Sequence, residues 1–277
     1  MGAGEAVVGV SSYDHFPPAV ESRQRVGALV DPDFERILSL RPDLVVVYGT
    51  QNDLITKLER ANVATFNYQH AGLADITNTM RRLGARVGHV AEANREADRI
   101  EGDLAAIRQR VAGAPRPSTV LIFGREAGTL RAMFASGGLG FLHDMLEVAG
   151  GTDAFGDIKR ENIQLSAEML LARAPEVILA LRPSENWDAA RLARERDVWK
   201  ALPALPAVRD GRVYILTNDV LLVPGPRVTE AVKMMAGVLH PAKTDSQTNS
   251  TATGRGINWR PYASEKNRSS AARPRVP

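Results

Sequence analysis

Short β-branched and aliphatic runs alternate along this chain with stretches whose apolar positions recur every three or four residues. The runs predict strands at residues 6–11, 44–48, 64–66, 119–123, 177–180 and 212–216. Helical spacing covers residues 34–40, 54–61, 76–87, 140–149 and 167–172. Such alternation predicts an α/β fold with mainly parallel sheets flanked by helices. One segment breaks the rhythm. From about 88 to 112 a long charged stretch carries Val90, Ala93, Ala97, Ile100, Leu104, Ile107 and Val111 at helical spacing, one apolar stripe along a single helix. It stops at Gly113-Ala114-Pro115 and divides the chain into halves of similar make-up.

The halves share a signature. Residues 34–46 read FERILSLRPDLVV and residues 167–179 read AEMLLARAPEVIL. In each, a Glu (Glu35, Glu168) precedes a Pro (Pro42, Pro175) by seven residues, an acid follows the Pro, and a strand pattern follows the acid. Asp33 and Ser166 stand where an N-cap belongs. A first-turn carboxylate is favoured by the helix dipole and by itself needs no further role. Two copies in the same local context suggest duplicated lobes, each displaying one negative charge to a partner with paired basic sockets.

Composition narrows the choice. Hydrophobic residues make up 44% of the 277 and charged residues 24%, a globular balance, and no uninterrupted apolar run is long enough to span a membrane. With no cysteine, disulfides, iron–sulfur clusters and thiol catalysis are excluded. The net charge of +3 is unevenly placed: residues 242–277 hold seven Lys/Arg against two acids, which leaves residues 1–241 at −2. A slightly acidic body does not suit a phosphate backbone, so no nucleic-acid partner is expected. The tail, rich in Ser, Thr, Asn, Arg and Pro, reads as a disordered basic appendage.

Several stretches together resemble one family: VVGVSSYDHFPP at 7–18, the two repeated runs, the long helix, LEVAGGTDAF at 146–155, WKALPALPAVRDGRVYIL at 199–216 and GPRVTEA at 225–231. The chain resembles the periplasmic binding proteins that deliver cobalamin, ferric siderophores and haem to ABC importers, the cobalamin binders being nearest in pattern. The resemblance implies two α/β lobes joined by one helix. Their bounds are expected at 1–87 for the N-terminal lobe, 88–113 for the interlobe helix, 114–241 for the C-terminal lobe and 242–277 for the tail. It places transporter docking on Glu35 and Glu168, and ligand contact on Tyr13, Tyr48, Arg125, Asn162 and Asp219. It implies permease and ATPase partners, a monomer, a periplasmic or cell-surface location, no catalysis, and no resident cofactor or metal, any metal arriving inside the cargo. Motion between lobes joined by a single stiff helix is expected to be modest.

There are departures. Leu29 and Asn162 stand where cobalamin binders carry tryptophans, which weighs against a broad corrin face, whereas Arg125, Arg160 and Arg227 suit carboxylates of a siderophore or haem. MGAGEAVVGV enters where the family's first helix normally ends, so the N-terminal lobe is expected to lack a first strand and helix and to be less stable than the family norm. Two other readings of the scaffold stay open, an enzyme and an intracellular sensor. For the enzyme, the 137–140 stretch GGLG precedes a helix and could cradle a phosphate, although it lacks a P-loop lysine. His143, Asp144 and Glu147 lie within about one turn, as a metal site or a solvated face, and His15 could meet a metal centre beside Tyr13.

Overall fold

The computed structural model describes residues 2–183 and 187–241, so the tail expected at 242–277 lies outside the described residues. The order of elements is β1 (Gly9–Val10), β2 (Gln24–Arg25), α1 (Phe34–Ser39), β3 (Val45–Tyr48), α2 (Asn52–Arg60), β4 (Thr65–Tyr68), α3 (Leu73–Arg86) and α4 (Val90–Val111). There follow β5 (Ser118–Gly124), β6 (Met133–Ser136), α5 (Phe141–Val148), β7 (Thr152–Asp153), β8 (Asn162–Leu165) and α6 (Ala167–Arg173). The chain then forms β9 (Val177–Leu181), α7 (Ala189–Asp197), α8 (Pro206–Arg209), β10 (Val213–Leu216) and α9 (Val228–Leu239).

The repeated signature folds the same way twice. The Asp33 carboxylate accepts from Arg36 N at 2.9 Å and starts α1, and the Ser166 hydroxyl accepts from Met169 N at 3.3 Å and starts α6. After each helix one residue turns left-handed, Arg41 at φ 48° and Ala174 at φ 45°, directly before Pro42 and Pro175. Proline cannot continue a helix, so both chains swing into a parallel strand, β3 and β9. The strand environments then differ. Every residue of β9 is buried, whereas β3 leaves Val46 exposed.

Near the N-terminus β1 pairs with β2 and β3 with β4, both parallel, over the small cluster of Ile37, Val47, Leu54 and Leu58. The larger sheet runs β10-β9-β5-β6-β8, with β7 beside the start of β5. It is parallel across β10, β9, β5 and β7, but β6 lies antiparallel to both β5 and β8. Successive residues of β5 serve opposite faces. Leu121 joins one core, while Val120 and Ile122 join another with Phe155 and Trp199.

The predicted apolar stripe is the buried face of α4. Ala93, Ala97, Ile100, Leu104, Ile107 and Val111 are all buried, and only Val90, in the first turn, is exposed. A helix of 22 residues spans roughly 33 Å. Leu73, Ile76 and Met80 of α3 join the same cluster, with Val228, Val232, Met235 and Leu239 of α9 on the far side. Thus α3, which follows the N-terminal strands, is built into the large core.

The α3–α4 crossing allows one residue no side chain. A Cβ on Gly84 would overlap that of Ala93, with the His89 carbonyl oxygen 3.0 Å away. In an open helix Gly84→Ala would gain about 1 kcal/mol of helix propensity. Here overpacking of roughly 1–3 kcal/mol outweighs that gain. We expect Gly84→Ala to lower the urea midpoint, and a raised midpoint would show that the crossing is loose.

Candidate functional site

In open parallel sheets, ligands sit beyond the carboxyl ends of the strands. Beyond β1, residues 11–17 form a tight loop: Ser11 N donates to the Asp14 carboxylate at 2.9 Å and Ser12 N to the Gly27 carbonyl at 2.7 Å. Arg25 braces it from β2, donating to the carbonyls of Ser11 and Asp14 and to Glu21. So held, the loop presents Tyr13, 78% exposed, and Phe16.

Beyond β3 and β4 stands an aromatic row. Tyr48 meets Tyr68 edge-on with centroids 5.4 Å apart, and Tyr68 meets His70 at 5.1 Å. The Gln51 side chain accepts from Tyr48 N at 3.2 Å and donates to the Leu29 carbonyl at 2.9 Å, tying this row to the loop after β2. Burial first, then the nearby Asp14, pushes the Tyr68 phenol up, so it stays protonated at neutral pH. Burial pushes the His70 imidazole down, so it is neutral there, and its Nδ1 is buried without a hydrogen-bond partner.

Phe123, Leu181, Arg182 and the short turn Asp219–Leu222 lie at or beyond the carboxyl ends of β5, β9 and β10. Phe123, Leu181, Arg182, Pro183, Trp187 and Leu222 line a recess of about 340 Å³. The two walls touch: the Arg227 guanidinium lies 4.0 Å from the centre of the Phe16 ring and pairs with Asp219 at 2.9 Å. A second tie lies at the start of α3, where the Asp144 carboxylate of α5 accepts from Leu73 N at 2.9 Å. Aromatic and apolar walls with a few guanidinium groups can hold a flat or compact organic ligand.

A sequence profile described as "Periplasmic binding protein" matches residues 1–220. The chain belongs to this family. Among similar proteins, the vitamin B12-binding protein of Salmonella typhimurium (strain LT2) is 27% identical over 239 residues, 86% of this chain and 84% of that one. An ABC transporter substrate-binding lipoprotein of Bacillus subtilis (strain 168), YvrC, is 24% identical over 246 residues, 87% of this chain and 75% of that one. The apo periplasmic haem-binding protein RhuT from Roseiflexus sp. RS-1 superposes with a TM-score of 0.69 at 25% identity, over 86% of this chain and 91% of that one.

In this binding protein the expected ligand residues do not all reach the cleft in the same way. Tyr13 and Tyr48 lie at the carboxyl ends of their strands. Asp219 lies there too, engaged with Arg227, so Arg227 is not the open carboxylate receptor that the sequence suggested. Arg125 requires a larger correction. Its side chain is fully buried and ion-paired with Glu195 of α7, and it also donates to the carbonyls of Glu126 and Thr129. A guanidinium so enclosed holds the fold together and has no open donor face for cargo. Asn162 is exposed at the start of β8, in register with Ser136 of β6, and Arg160 is exposed nearby. Glu35 and Glu168 are exposed in the first turns of α1 and α6, and a hydrogen bond with Ser166 holds the Glu168 carboxyl below its ordinary value.

The remaining candidates are spent on structure. His143 pairs with Asp153 at 3.1 Å, Asp144 caps α3, and Glu147 pairs with Arg116 at 2.5 Å, so the trio points to three different partners. His15 pairs with Glu21 at 2.8 Å. In the 137–140 stretch, Gly137 N and Gly138 N donate to the carbonyls of Glu161 and Ile158, which leaves those donors unavailable to a phosphate. Tyr68, His70, Arg182 and the recess beside Trp187 were missed from sequence. Their signal was position, each standing at or shortly after the carboxyl end of a strand.

Removing one partner of a buried ion pair strands the other charge, at about 3–5 kcal/mol. Glu195→Ala should therefore destabilise the protein by that order in urea denaturation. A change below about 1 kcal/mol would mean that Arg125 relaxes into water.

Proposed function

We propose that the chain is the solute-capturing component of an ABC importer, taking up a metal chelate such as a haem, ferric siderophore or corrinoid. The cleft between the N-terminal strands and the larger sheet receives the cargo, and the protein changes no covalent bond in it. Any metal is part of the cargo. The protein works as a monomer in the periplasm or at the cell surface, without a nucleic-acid partner.

The observation that carries this reading is the duplicated display of Glu35 and Glu168. Each sits in the first turn of a side-chain-capped helix that ends in a left-handed residue before proline. Caps of this kind hold a helix start rigid, and rigid carboxylates meet paired basic sockets with little entropy lost. The names of the vitamin B12-binding relative, the ABC transporter substrate-binding relative and the haem-binding neighbour supply the class of cargo and partner. Among the described residues no helix is long and apolar enough to cross a membrane.

Within the chelate class, the cleft favours cargo that needs less aromatic cover than a corrin. Leu29 is half exposed at the rim and Asn162 is polar, where two broad rings would be wanted. Tyr13, Tyr48 and Tyr68 provide one aromatic wall.

The Glu35→Ala/Glu168→Ala double variant should lose permease-dependent uptake in reconstituted vesicles while its cargo Kd stays within about twofold of wild type. Intact uptake would refute the docking assignment, and a weakened Kd would move these residues into the cleft.

A further inference from the structure

Three features of the wall around β5 and β9 converge on one kind of ligand group. The first is that, among the described residues, one carboxylate has to balance two cations. Glu195 pairs with Arg125 and also lies 3.7 Å from Arg182 Nε, so one carboxylate serves two guanidinium groups. Arg125 is fully enclosed and Arg182 is only one-fifth exposed, so water screens the two guanidinium charges poorly. In keeping with this, burial and then the nearby Arg182 both work to lower the Arg125 pKa, against the pull of Glu195.

The second feature is an unmet donor. The Trp187 indole Nε1, in the wall of the recess, is buried without a hydrogen-bond partner among the described residues. Buried N–H groups are nearly always satisfied, so an orphan beside a cavity marks a place where an acceptor is missing. The third is the cavity itself. The recess of about 340 Å³ has Arg182, Trp187 and Arg191 in its wall together with Phe123, Leu181 and Leu222, the Arg191 guanidinium lying 4.3 Å from the Trp187 ring centre. A guanidinium and an indole N–H beside an apolar floor match an acid group carried on an apolar body.

We propose that this recess binds a carboxylate of the cargo, with Arg182 and the Trp187 N–H donating to it while Phe123 and Leu222 cover the adjoining apolar surface. The inference rests on the importer reading and narrows it: the cargo is a carboxylate-bearing chelate, and Arg182 takes the role that Arg125 cannot fill. Arg182 uses one nitrogen on the Arg125 carbonyl at 3.2 Å and directs Nε toward Glu195, and its other terminal nitrogen has no partner among the described residues.

Calorimetric titration of the full chain with haemin, haemin dimethyl ester, ferric citrate and cyanocobalamin tests this. A charge-assisted hydrogen bond corresponds to roughly a tenfold or greater change in Kd. We expect at least one carboxylate chelate to bind, and Arg182→Gln to weaken it about tenfold. If that chelate is haemin, the dimethyl ester should bind about tenfold more weakly to wild type and be indifferent to Arg182→Gln. Trp187→Phe, which removes the donor and keeps an aromatic ring, should also weaken the chelate, and it decides the matter if Arg182→Gln does not fold. Acid and ester binding alike, or a carboxylate chelate whose Kd neither variant changes, would overturn the carboxylate subsite and leave the importer reading standing. Binding of cyanocobalamin, whose corrin carboxyls are amides, in preference to both carboxylate chelates would do the same. Binding of none of the four would overturn the chelate reading and the subsite with it.

Discussion

The crossing of α3 and α4 sets the geometry on which the cleft depends. Gly84 lets the two backbones approach until its missing Cβ would overlap Ala93, and Leu73, Ile76 and Met80 then enter a core shared with α4, α5 and α9. Because α3 follows directly from β4, this contact fixes where Tyr68 and His70 stand against the larger sheet. The Asp144 carboxylate pins the first turn of α3 from the opposite side. Gly72 permits that approach, since a Cβ there would sit 2.6 Å from the Asp144 oxygen. Two glycines at the two ends of one helix thus do what a large interface would otherwise have to do.

The cleft built on this frame has an uneven division of labour. The N-terminal side supplies rings and only weakly charged polar groups: Tyr13, Phe16, Tyr48, Tyr68 and a neutral His70. The larger sheet supplies the cations, and it does so at a folding cost, because Arg125 and Arg182 share one carboxylate. On the proposed carboxylate subsite, an arriving anion completes the set, so binding and folding stability rise together.

Much of this was legible in the sequence because its causes are local. Caps at Asp33 and Ser166, stops at Pro42 and Pro175 and the stripe along α4 each depend on residues a few positions apart, and all fold as the pattern predicts. The antiparallel β6 and β8 were not predicted. Each has four residues, and along β8 exposed and buried positions alternate, a pattern too short to stand out from a loop. The fate of Arg125 was illegible for a different reason. Its partner Glu195 is 70 residues away, and a sequence displays an arginine without displaying what neutralises it. Arg182 was overlooked because its importance comes from what its neighbour has already taken.

The same contacts bear on movement. A single stiff helix between two lobes already limits their motion, and α3 adds a second connection and Asp144 a third. What remains easy to open is the rim, where the Arg227 guanidinium covers the Phe16 ring. A cation–π contact at a partly exposed site contributes only about 0.5–1 kcal/mol, and the Asp219 pair beside it is exposed enough to add little more. Thermal motion therefore separates Phe16 from Arg227 far more readily than it shifts α3 on α4. Cargo can enter through a loosely latched rim above a stiff floor, and the loop braced by Arg25 is the part of the wall that has to yield.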